Sequence, residues 1–184
     1  MPFLFFVGFN GIILGMKIIV MGPQGSGKST QAELLAKKLN LPHLQTGELY
    51  RRMGGKIKKI LDKGELVPDK IHQEIVNKEI KKPKYQRGFV LDGSPRKLSQ
   101  AQNQRFKVDK VFYLEVSDKE NIKRLVKRGR RDDTPELIKK RLKLYHQKTE
   151  PVLDYYRQMG ILAKVDGERS IEAIFQDIVE RLRK

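Results

Sequence analysis

Cysteine is absent from this 184-residue chain, and histidine occurs only three times. Without cysteine the chain has no disulfide, no thiolate nucleophile and no cysteine-based zinc site, so we expect no zinc and a reducing, cytoplasmic compartment. His43, His72 and His146 lie far apart in the sequence and match no metal-ligand spacing. We therefore expect packing or surface roles for the histidines rather than catalysis.

Acidic residues are also scarce: the chain has 22 of them and 39 basic residues, which gives a formal net charge of +17. Such a field favours anionic partners, namely nucleic acid, acidic lipid or polyphosphate ligands. The alternative is a lysine-rich solvated surface, because the basic residues are spread along the chain and form no arm or tail. The share of apolar residues, 39%, is typical of a globular domain with a core.

The longest apolar run lies at the start of the chain, where residues 1–15 read MPFLFFVGFNGIILG. This run lacks the basic n-region of a secretory signal, and it is shorter than the about 20 residues that a membrane-spanning helix needs. Met16 opens a stretch that looks like a natural beginning. We expect residues 1–15 to be an apolar extension that arises from a misassigned start codon, with a membrane tether as the alternative.

A phosphate-binding loop is predicted directly after this extension. Residues 17–20, KIIV, form a β-branched run typical of a buried parallel strand, and residues 28–40 carry apolar side chains at helical spacing. Between them, Gly22-x-x-x-x-Gly27-Lys28-Ser29 fits the phosphate-loop pattern in full. The glycines let backbone N–H groups turn inward, the helix start adds its positive dipole end, and Lys28 supplies a counter-charge for a triphosphate.

The rest of the chain alternates between buried strands and amphipathic helices. Such alternation predicts a single α/β domain over residues 16–184, with a parallel sheet covered by helices on both faces. Pro151 is expected to bend or break the longest helix after Thr149. Further strands are predicted at 88–92, 110–116 and 160–165, with a short one within 41–47, and helices at 69–82, 97–106, 118–128, 134–157 and 170–183.

Four further motifs are TGELYR (46–51), GELVPD (64–69), LDGSPRKLSQ (91–100) and RGRRDD (128–133). Each alone has an ordinary explanation, such as a capping arginine or a solvated charged loop. In this order, and after the phosphate loop, they make the chain resemble the adenylate kinase family over essentially all of residues 16–184. The resemblance implies a P-loop nucleoside monophosphate kinase fold, with a five-stranded parallel sheet, a helical AMP-binding insertion at about 45–74 and a minimal lid loop at about 128–133.

The resemblance also implies reversible phosphoryl transfer from ATP to AMP, giving two ADP, with Mg²⁺. It places the AMP phosphate on Arg51 and Arg96 and the adenine edge on Gln100, while Asp132 and Asp133 tether the arginine loop. The implied ATP-binding residues are Gly25, Ser26, Gly27, Lys28, Ser29, Thr30, Arg128 and Arg169. The implied AMP-binding residues are Thr46, Arg51, Glu65, Leu66, Val67, Gly93, Ser94, Pro95, Arg96, Gln100, Arg130 and Arg141. The implied catalytic residues are Lys28, Arg96, Arg124, Arg128, Arg130 and Arg141, and Ser29, Thr30 and Asp92 would hold Mg²⁺ through water.

The sequence departs from the family pattern in three places. Ser29 stands where a glycine is common, and Ser94 stands where an aromatic residue is usual. Only one glycine separates Arg128 from Arg130, so that the lid is almost absent. Lids exclude water, which competes with AMP for the phosphoryl group. We hypothesise that the arginine loop at 128–133 folds over the phosphates and excludes water by itself.

Two alternatives remain open at this point. Ser94 leaves room for a kinase of another monophosphate, UMP or CMP, although Gln100 and TGELYR favour AMP. The charge of +17 leaves room for a basic nucleic-acid-associated P-loop ATPase, although no RNA-binding signature is present. We expect small-molecule nucleotides (ATP, AMP and ADP) as partners, no specific nucleic acid, no stable membrane association and a monomer.

Overall fold

The structure, a computed structural model, describes residues 15–130 and 133–182, so the predicted extension lies outside the described residues except for Gly15. Within these ranges the strands form one parallel sheet in the order β2-β3-β1-β4-β5, flanked by helices, as predicted. The strands are β1 (Lys17–Met21), β2 (His43–Gln45), β3 (Phe89–Asp92), β4 (Lys110–Glu115) and β5 (Leu162–Asp166). The helices are α1 (Lys28–Leu39), α2 (Thr46–Met53), α3 (Gly55–Asp62), α4 (Asp69–Ile80), α5 (Leu98–Gln102), α6 (Asp118–Arg128), α7 (Pro135–Leu144), α8 (Glu150–Gln158) and α9 (Ile171–Leu182).

The core lies on both faces of the sheet, because side chains alternate along each strand. On one face Ile18 and Val20 of β1 pack with Leu35 of α1 and Ile178 of α9. On the opposite face Ile19 belongs to a second cluster, which includes Val152 and Tyr156 of α8. The strands are buried on both sides, which explains their continuous β-branched and apolar runs.

Two helices differ from their predicted extents. The pattern predicts a helix over 97–106, whereas α5 ends at Gln102. The side-chain amide of Asn103 donates to the Ser99 carbonyl oxygen at 2.8 Å, which competes with continuation of the helix. The helix predicted over 134–157 consists of α7, a π-helical turn at Tyr145–Thr149 and α8. The π-helical turn ends at Thr149 and Pro151 lies in the first turn of α8, so the regular α-helix is interrupted where Pro151 was expected to bend or break it.

Helices α2, α3 and α4 form a unit between β2 and β3. Gly54 and Gly55 have φ values of 62° and 53°, a left-handed conformation that suits glycine and lets the chain turn between α2 and α3. Helix α3 buries none of its own side chains. The contact of α3 with α7 uses its backbone instead: Arg141 of α7 donates a hydrogen bond to the carbonyl oxygen of Leu61, near the C-terminal end of α3. Among the described residues, none of the helices has the length and apolarity to cross a membrane.

Candidate active site

A cleft of about 940 Å³ opens at the carboxyl ends of β1 and β3. Ligands of open parallel sheets bind at this edge, where the strand order reverses. Val20 at the end of β1 pairs in register with Asp92 at the end of β3, so the loops that follow the two strands face the same space. The predicted site residues that line the cleft are Gly25, Gly27, Lys28, Ser29, Thr30, Arg51, Glu65, Leu66, Val67, Asp92, Gly93, Ser94, Pro95, Arg96, Gln100, Arg124, Arg128, Arg130 and Arg141.

The loop between β1 and α1 has the backbone geometry of an anion cradle. Gly25 and Gly27 have φ values of 86° and 85°, which glycine adopts without strain. A Cβ on Gly25 would lie 2.7 Å from the backbone oxygen of Asn121, so the loop packs directly against α6. No side chain caps α1, and its first turn contains no acid. The first N–H groups of α1 and its positive dipole end therefore remain for a ligand.

Lys28 lies at the start of α1, within a group of positive charges. Its ammonium donates to the Pro23 carbonyl oxygen at 3.0 Å. Burial lowers the pKa of Lys28 to about 8; the charge of Asp92 opposes this shift, and the charges of Arg96, Arg128 and Arg130 add to it. Among the described residues that line the cleft, lysines and arginines outnumber aspartates and glutamates, so the cleft carries an excess of positive charge. An anionic ligand would relieve this repulsion.

Asp92 is the carboxylate at the centre of this cluster, and its side chain is buried. Burial would raise its pKa, but the nearby His43 ring, the charge of Lys28 and hydrogen bonds from Ser29 and Gln45 outweigh burial and lower the pKa to about 2. The Gln45 amide donates to the carboxylate at 3.1 Å, and His43 Nε2 lies 3.7 Å from it. Asp92 is therefore ionised at neutral pH next to the Ser29 hydroxyl.

Asp133 organises the arginine loop between α6 and α7. Its carboxylate accepts two hydrogen bonds from Arg128, at 2.9 and 2.7 Å, and one from the backbone N–H of Arg130 at 3.3 Å. Arg141 Nη1 lies 3.7 Å from the same carboxylate, whose side chain is fully buried. One acid thus holds three arginine-bearing positions at the mouth of the cleft. Asp132, predicted to share this role, lies outside the described residues.

The opposite part of the cleft is formed by α4, α5 and the turn after β3. Arg96 Nε donates to the Gly93 carbonyl oxygen at 2.9 Å, which directs the guanidinium along the turn. Gln100 is buried; its carbonyl oxygen accepts from the Arg96 backbone N–H at 2.8 Å, and its amide donates to Asp69 at 3.0 Å. The Gln100 side chain is therefore held in one orientation at the wall of the cleft.

Three predicted site residues do not line the cleft. Ser26, which belongs to the phosphate loop, is fully buried. The Thr46 hydroxyl donates to the Asp92 carbonyl oxygen at 3.1 Å and is fully buried, so it joins α2 to β3 instead of facing a ligand. Arg169 is paired with Asp177 at 2.5 Å. The family resemblance suggested these three residues. The side chains of Thr46 and Arg169 bond within the protein, whereas the buried Ser26 hydroxyl has no hydrogen-bond partner among the described residues.

Other side chains line the cleft without having been predicted to do so. Tyr50 of α2 and His72 of α4 are both buried and both reach the cleft wall. Tyr50 lies inside the motif TGELYR, so membership of that motif could have predicted its place in the cleft wall. His72 carried no such signal, because a lone histidine in an amphipathic helix is typical of packing. Gln24, within the phosphate loop, also lines the cleft.

Comparison with known proteins agrees with this geometry. The model of the adenylate kinase family matches residues 20–161 of the chain. An adenylate kinase of Prochlorococcus marinus (strain MIT 9515) is 40% identical over 181 residues, covering 90% of this chain and 97% of that relative. An adenylate kinase of Chelativorans sp. (strain BNC1) is 39% identical over 193 residues, covering 92% of this chain and 100% of that relative. An adenylate kinase of Mycolicibacterium smegmatis is 41% identical over 174 residues, covering 87% of this chain and 95% of that relative. With its parallel sheet, its phosphate loop and this extent of similarity, the chain belongs to the adenylate kinase family.

Proposed function

We propose that this enzyme transfers the terminal phosphoryl group of ATP to AMP, reversibly, to give two ADP. The observation that carries the proposal is the cluster of cations beside one ionised carboxylate: the charges of Arg96, Arg128 and Arg130 all act on Lys28, and Asp92 lies next to it. A cleft with this excess of positive charge suits two polyphosphate groups that meet end to end. The enzyme would serve adenine nucleotide balance, and we propose a cytoplasmic monomer.

The donor would bind at the phosphate loop. Gly25 and Gly27 supply backbone N–H groups, the ammonium of Lys28 reaches the outer phosphates, and the hydroxyls of Ser29 and Thr30 lie at the start of α1. This arrangement would bind phosphate through backbone dipoles and the ammonium of Lys28. Arg128, at the end of α6, would contact the same phosphates from above.

The acceptor would bind on the side of α2, α4 and α5. Arg51 and Arg96 line this part of the cleft and would hold its phosphate, since the planar guanidinium binds phosphate oxygens in pairs. Arg130 and Arg141 would reach the junction between the two nucleotides. The segment from Glu65 to Val67 and the fixed side chain of Gln100 would border the base.

The reaction itself needs charge and alignment more than covalent chemistry. The transferred phosphoryl group passes through a loose transition state whose negative charge is spread over its equatorial oxygens. Lys28 and the arginines would stabilise this charge, and fixed donors of this kind cost no reorganisation at the moment of transfer. Arg124 lines the cleft while it donates to the Gly167 carbonyl oxygen at 2.9 Å, which holds its guanidinium in place.

The residues present fit a magnesium ion held through water. Mg²⁺ keeps several of its waters and is bound by one or two carboxylates together with substrate phosphates. Asp92 is ionised, buried and adjacent to the Ser29 hydroxyl, which is the donor set that such an ion requires. Among the described residues no group of three or more acidic or histidine side chains is placed so that it could hold a metal ion. The ion would neutralise phosphate charge, and Asp92 would orient its waters.

The proposal is tested by a coupled assay for ADP formed from ATP with AMP, UMP or CMP in turn. We expect AMP to be the preferred acceptor, whereas a preference for UMP or CMP would assign the enzyme to another monophosphate. Turnover that is stimulated by RNA and indifferent to AMP would contradict the proposal. Lys28→Ala should lower kcat by about 10²-fold or more, as for the loss of one transition-state donor. Lys123→Ala is the matched control, because Lys123 is an exposed lysine of α6.

A further inference from the structure

A second cavity, of about 210 Å³, opens at the edge of the sheet opposite the active-site cleft. Lys17, the first residue of β1, and Phe89, the first residue of β3, both line it, and the two residues pair in register. Because the strands run parallel, the active-site cleft lies at their other ends, roughly 17 Å away along a five-residue strand. We call the surface formed by this cavity, Lys17 and the flanking segments 78–87 and 105–110 the basic edge.

The basic edge concentrates positive charge. Segments 78–87 and 105–110 contain eight basic residues and two acidic ones, which leaves an excess of six positive charges, and Lys17 adds a seventh. Lys17, Lys81 and Arg105 line the cavity itself, whereas none of its described lining residues is acidic. The basic residues are spread along the sequence, and the fold brings these two segments together at the start of β1.

The two acids of the basic edge already have partners within the protein. Glu79 pairs with Lys82 at 2.6 Å, and the Asp109 carboxylate accepts a hydrogen bond from the backbone N–H of Lys17 at 2.8 Å. An approaching anion would therefore meet the remaining cations. A cluster of about four to eight lysines and arginines next to an apolar segment is typical of binding to anionic lipid head groups.

The most apolar part of the sequence joins the fold at this same edge. Residues 1–14 contain four phenylalanines and no aspartate, glutamate, lysine or arginine. The backbone N–H of Gly15, the residue that follows them, donates to the Arg87 carbonyl oxygen at 3.0 Å. A Cβ on Gly88 would lie 2.3 Å from the backbone oxygen of Met16, so the entering chain packs directly against segment 78–87.

Two features favour a lipid surface over a nucleic acid as the partner. Proteins that bind single-stranded nucleic acid stack its bases on accessible aromatic rings. Tyr85 and Phe89, which line the cavity, are only 3% and 1% exposed, and Phe106 packs against Phe89 with ring centroids 5.1 Å apart. A bilayer also offers an apolar phase to the side chains of residues 1–14, which a nucleic acid does not.

We propose that the basic edge docks on a bilayer surface rich in anionic phospholipid, with residues 1–14 supplying a second, apolar contact. One short apolar anchor gives only marginal and reversible binding, and a basic patch strengthens it. A reversible attachment is compatible with the expected absence of stable membrane association. The active-site cleft then faces away from the lipid, so nucleotides exchange freely while the enzyme is docked. The inference does not depend on the proposed phosphoryl transfer.

The first experiment measures sedimentation of the full chain with vesicles of phosphatidylserine and phosphatidylcholine, and with vesicles of phosphatidylcholine alone. We expect the partition coefficient to be higher by about 10-fold or more on the anionic vesicles, and to fall when NaCl is raised from ~0.1 to ~0.5 M. No binding to the anionic vesicles, or equal binding to both kinds, would overturn the inference.

The second experiment separates the basic edge from the net charge of the molecule. Lys81→Glu with Arg105→Glu should weaken binding to anionic vesicles by about 10-fold or more. The matched control is Lys119→Glu with Lys123→Glu, which changes the charge equally on exposed residues of α6. We expect the control to stay within about twofold and both variants to keep normal ADP formation. Equal losses in the two variants would overturn the assignment of the surface.

The third experiment tests the apolar contact in the full chain. Phe5→Asp with Phe6→Asp should weaken binding to anionic vesicles by about 10-fold or more, because a charged side chain is costly to bury in lipid. Unchanged binding would overturn the contact assigned to residues 1–14.

Competition identifies the partner. Inorganic phosphate should not release the protein from anionic vesicles, compared with NaCl at the same ionic strength. Release by phosphate would show that the cavity takes a free anion and would overturn docking on lipid. Single-stranded RNA should bind more weakly than the vesicles at equal phosphate concentration. Tighter binding to RNA that is lost in Lys81→Glu with Arg105→Glu would also overturn the inference, in favour of a nucleic acid.

Discussion

Replacing Asp133 with asparagine tests whether one buried acid holds the arginine loop in its working position. The substitution keeps the shape of the side chain but removes its charge. Asp133 accepts two hydrogen bonds from Arg128 and one from the backbone of Arg130, with Arg141 3.7 Å away. In the variant an amide N–H₂ group replaces one acceptor oxygen and faces the guanidinium of Arg128, so at least one of these hydrogen bonds is lost.

The size of the effect follows from these contacts. A hydrogen bond to a charged group contributes about 1.5–3 kcal/mol, compared with about 0.5–1.5 kcal/mol for a neutral one. The Arg128 side chain is 34% exposed, so solvent screens part of this difference. We expect the free energy of unfolding to fall by about 1–3 kcal/mol. We expect kcat to fall by about 10- to 100-fold, where each factor of ten corresponds to about 1.4 kcal/mol of lost transition-state stabilisation.

The assay measures ADP formation from ATP and AMP, and ATP hydrolysis in the absence of AMP. If the arginine loop excludes water, Asp133→Asn should raise the ratio of hydrolysis to transfer as well as lower kcat. Asp154→Asn is the matched control, because Asp154 is an exposed acid paired with Arg157 in α8. A folded Asp133→Asn enzyme with normal kcat and a normal ratio would refute the reasoning, and so would an unmodified enzyme that hydrolyses ATP as fast as it phosphorylates AMP.

Three further changes have expected outcomes. Arg51→Ala should raise KM for AMP by about 10- to 100-fold in steady-state assays and leave KM for ATP within about twofold, because Arg51 would contact only the acceptor phosphate. Gly25→Ala should lower the free energy of unfolding by about 2 kcal/mol or more, and weaken ATP binding in a titration, since its Cβ would lie 2.7 Å from the Asn121 backbone oxygen at a φ of 86°. His146 is partly buried, which lowers its pKa, but its hydrogen bonds to two acids outweigh burial and raise the pKa. The stabilisation by protonated His146 is therefore present below about pH 6.5 and lost as pH rises through the higher pKa of the folded state. We expect the free energy of unfolding of the unmodified protein to exceed that of His146→Gln by less than about 1 kcal/mol at ~pH 5.5 and by almost nothing at ~pH 8.5. Denaturant titrations at the two pH values measure this difference.

The sequence was sufficient to predict those parts of the fold that depend on residues close together in the chain. The phosphate loop could be predicted because strand, glycine turn and helix follow one another within residues 17–40, and each has its own periodicity or backbone requirement. The sheet and its helices could be predicted for the same reason. The strand predicted at 110–116 is β4 (Lys110–Glu115), and the short one predicted within 41–47 is β2 (His43–Gln45).

Tertiary structure decided which polar side chains face the cleft and which are used elsewhere. The family resemblance implied nucleotide binding for Thr46 and Arg169, but the Thr46 hydroxyl bonds to the Asp92 backbone and the Arg169 side chain pairs with Asp177. His72 had no sequence signal, and it gained a place in the cleft wall because packing brings α4 against Tyr50 and Ser94, each 22 residues away. The period of a helix and the turn chemistry of a loop are encoded by neighbours in the chain. The partner of a hydroxyl, an imidazole or a carboxylate depends on which elements pack together, and that is fixed only when the whole core forms.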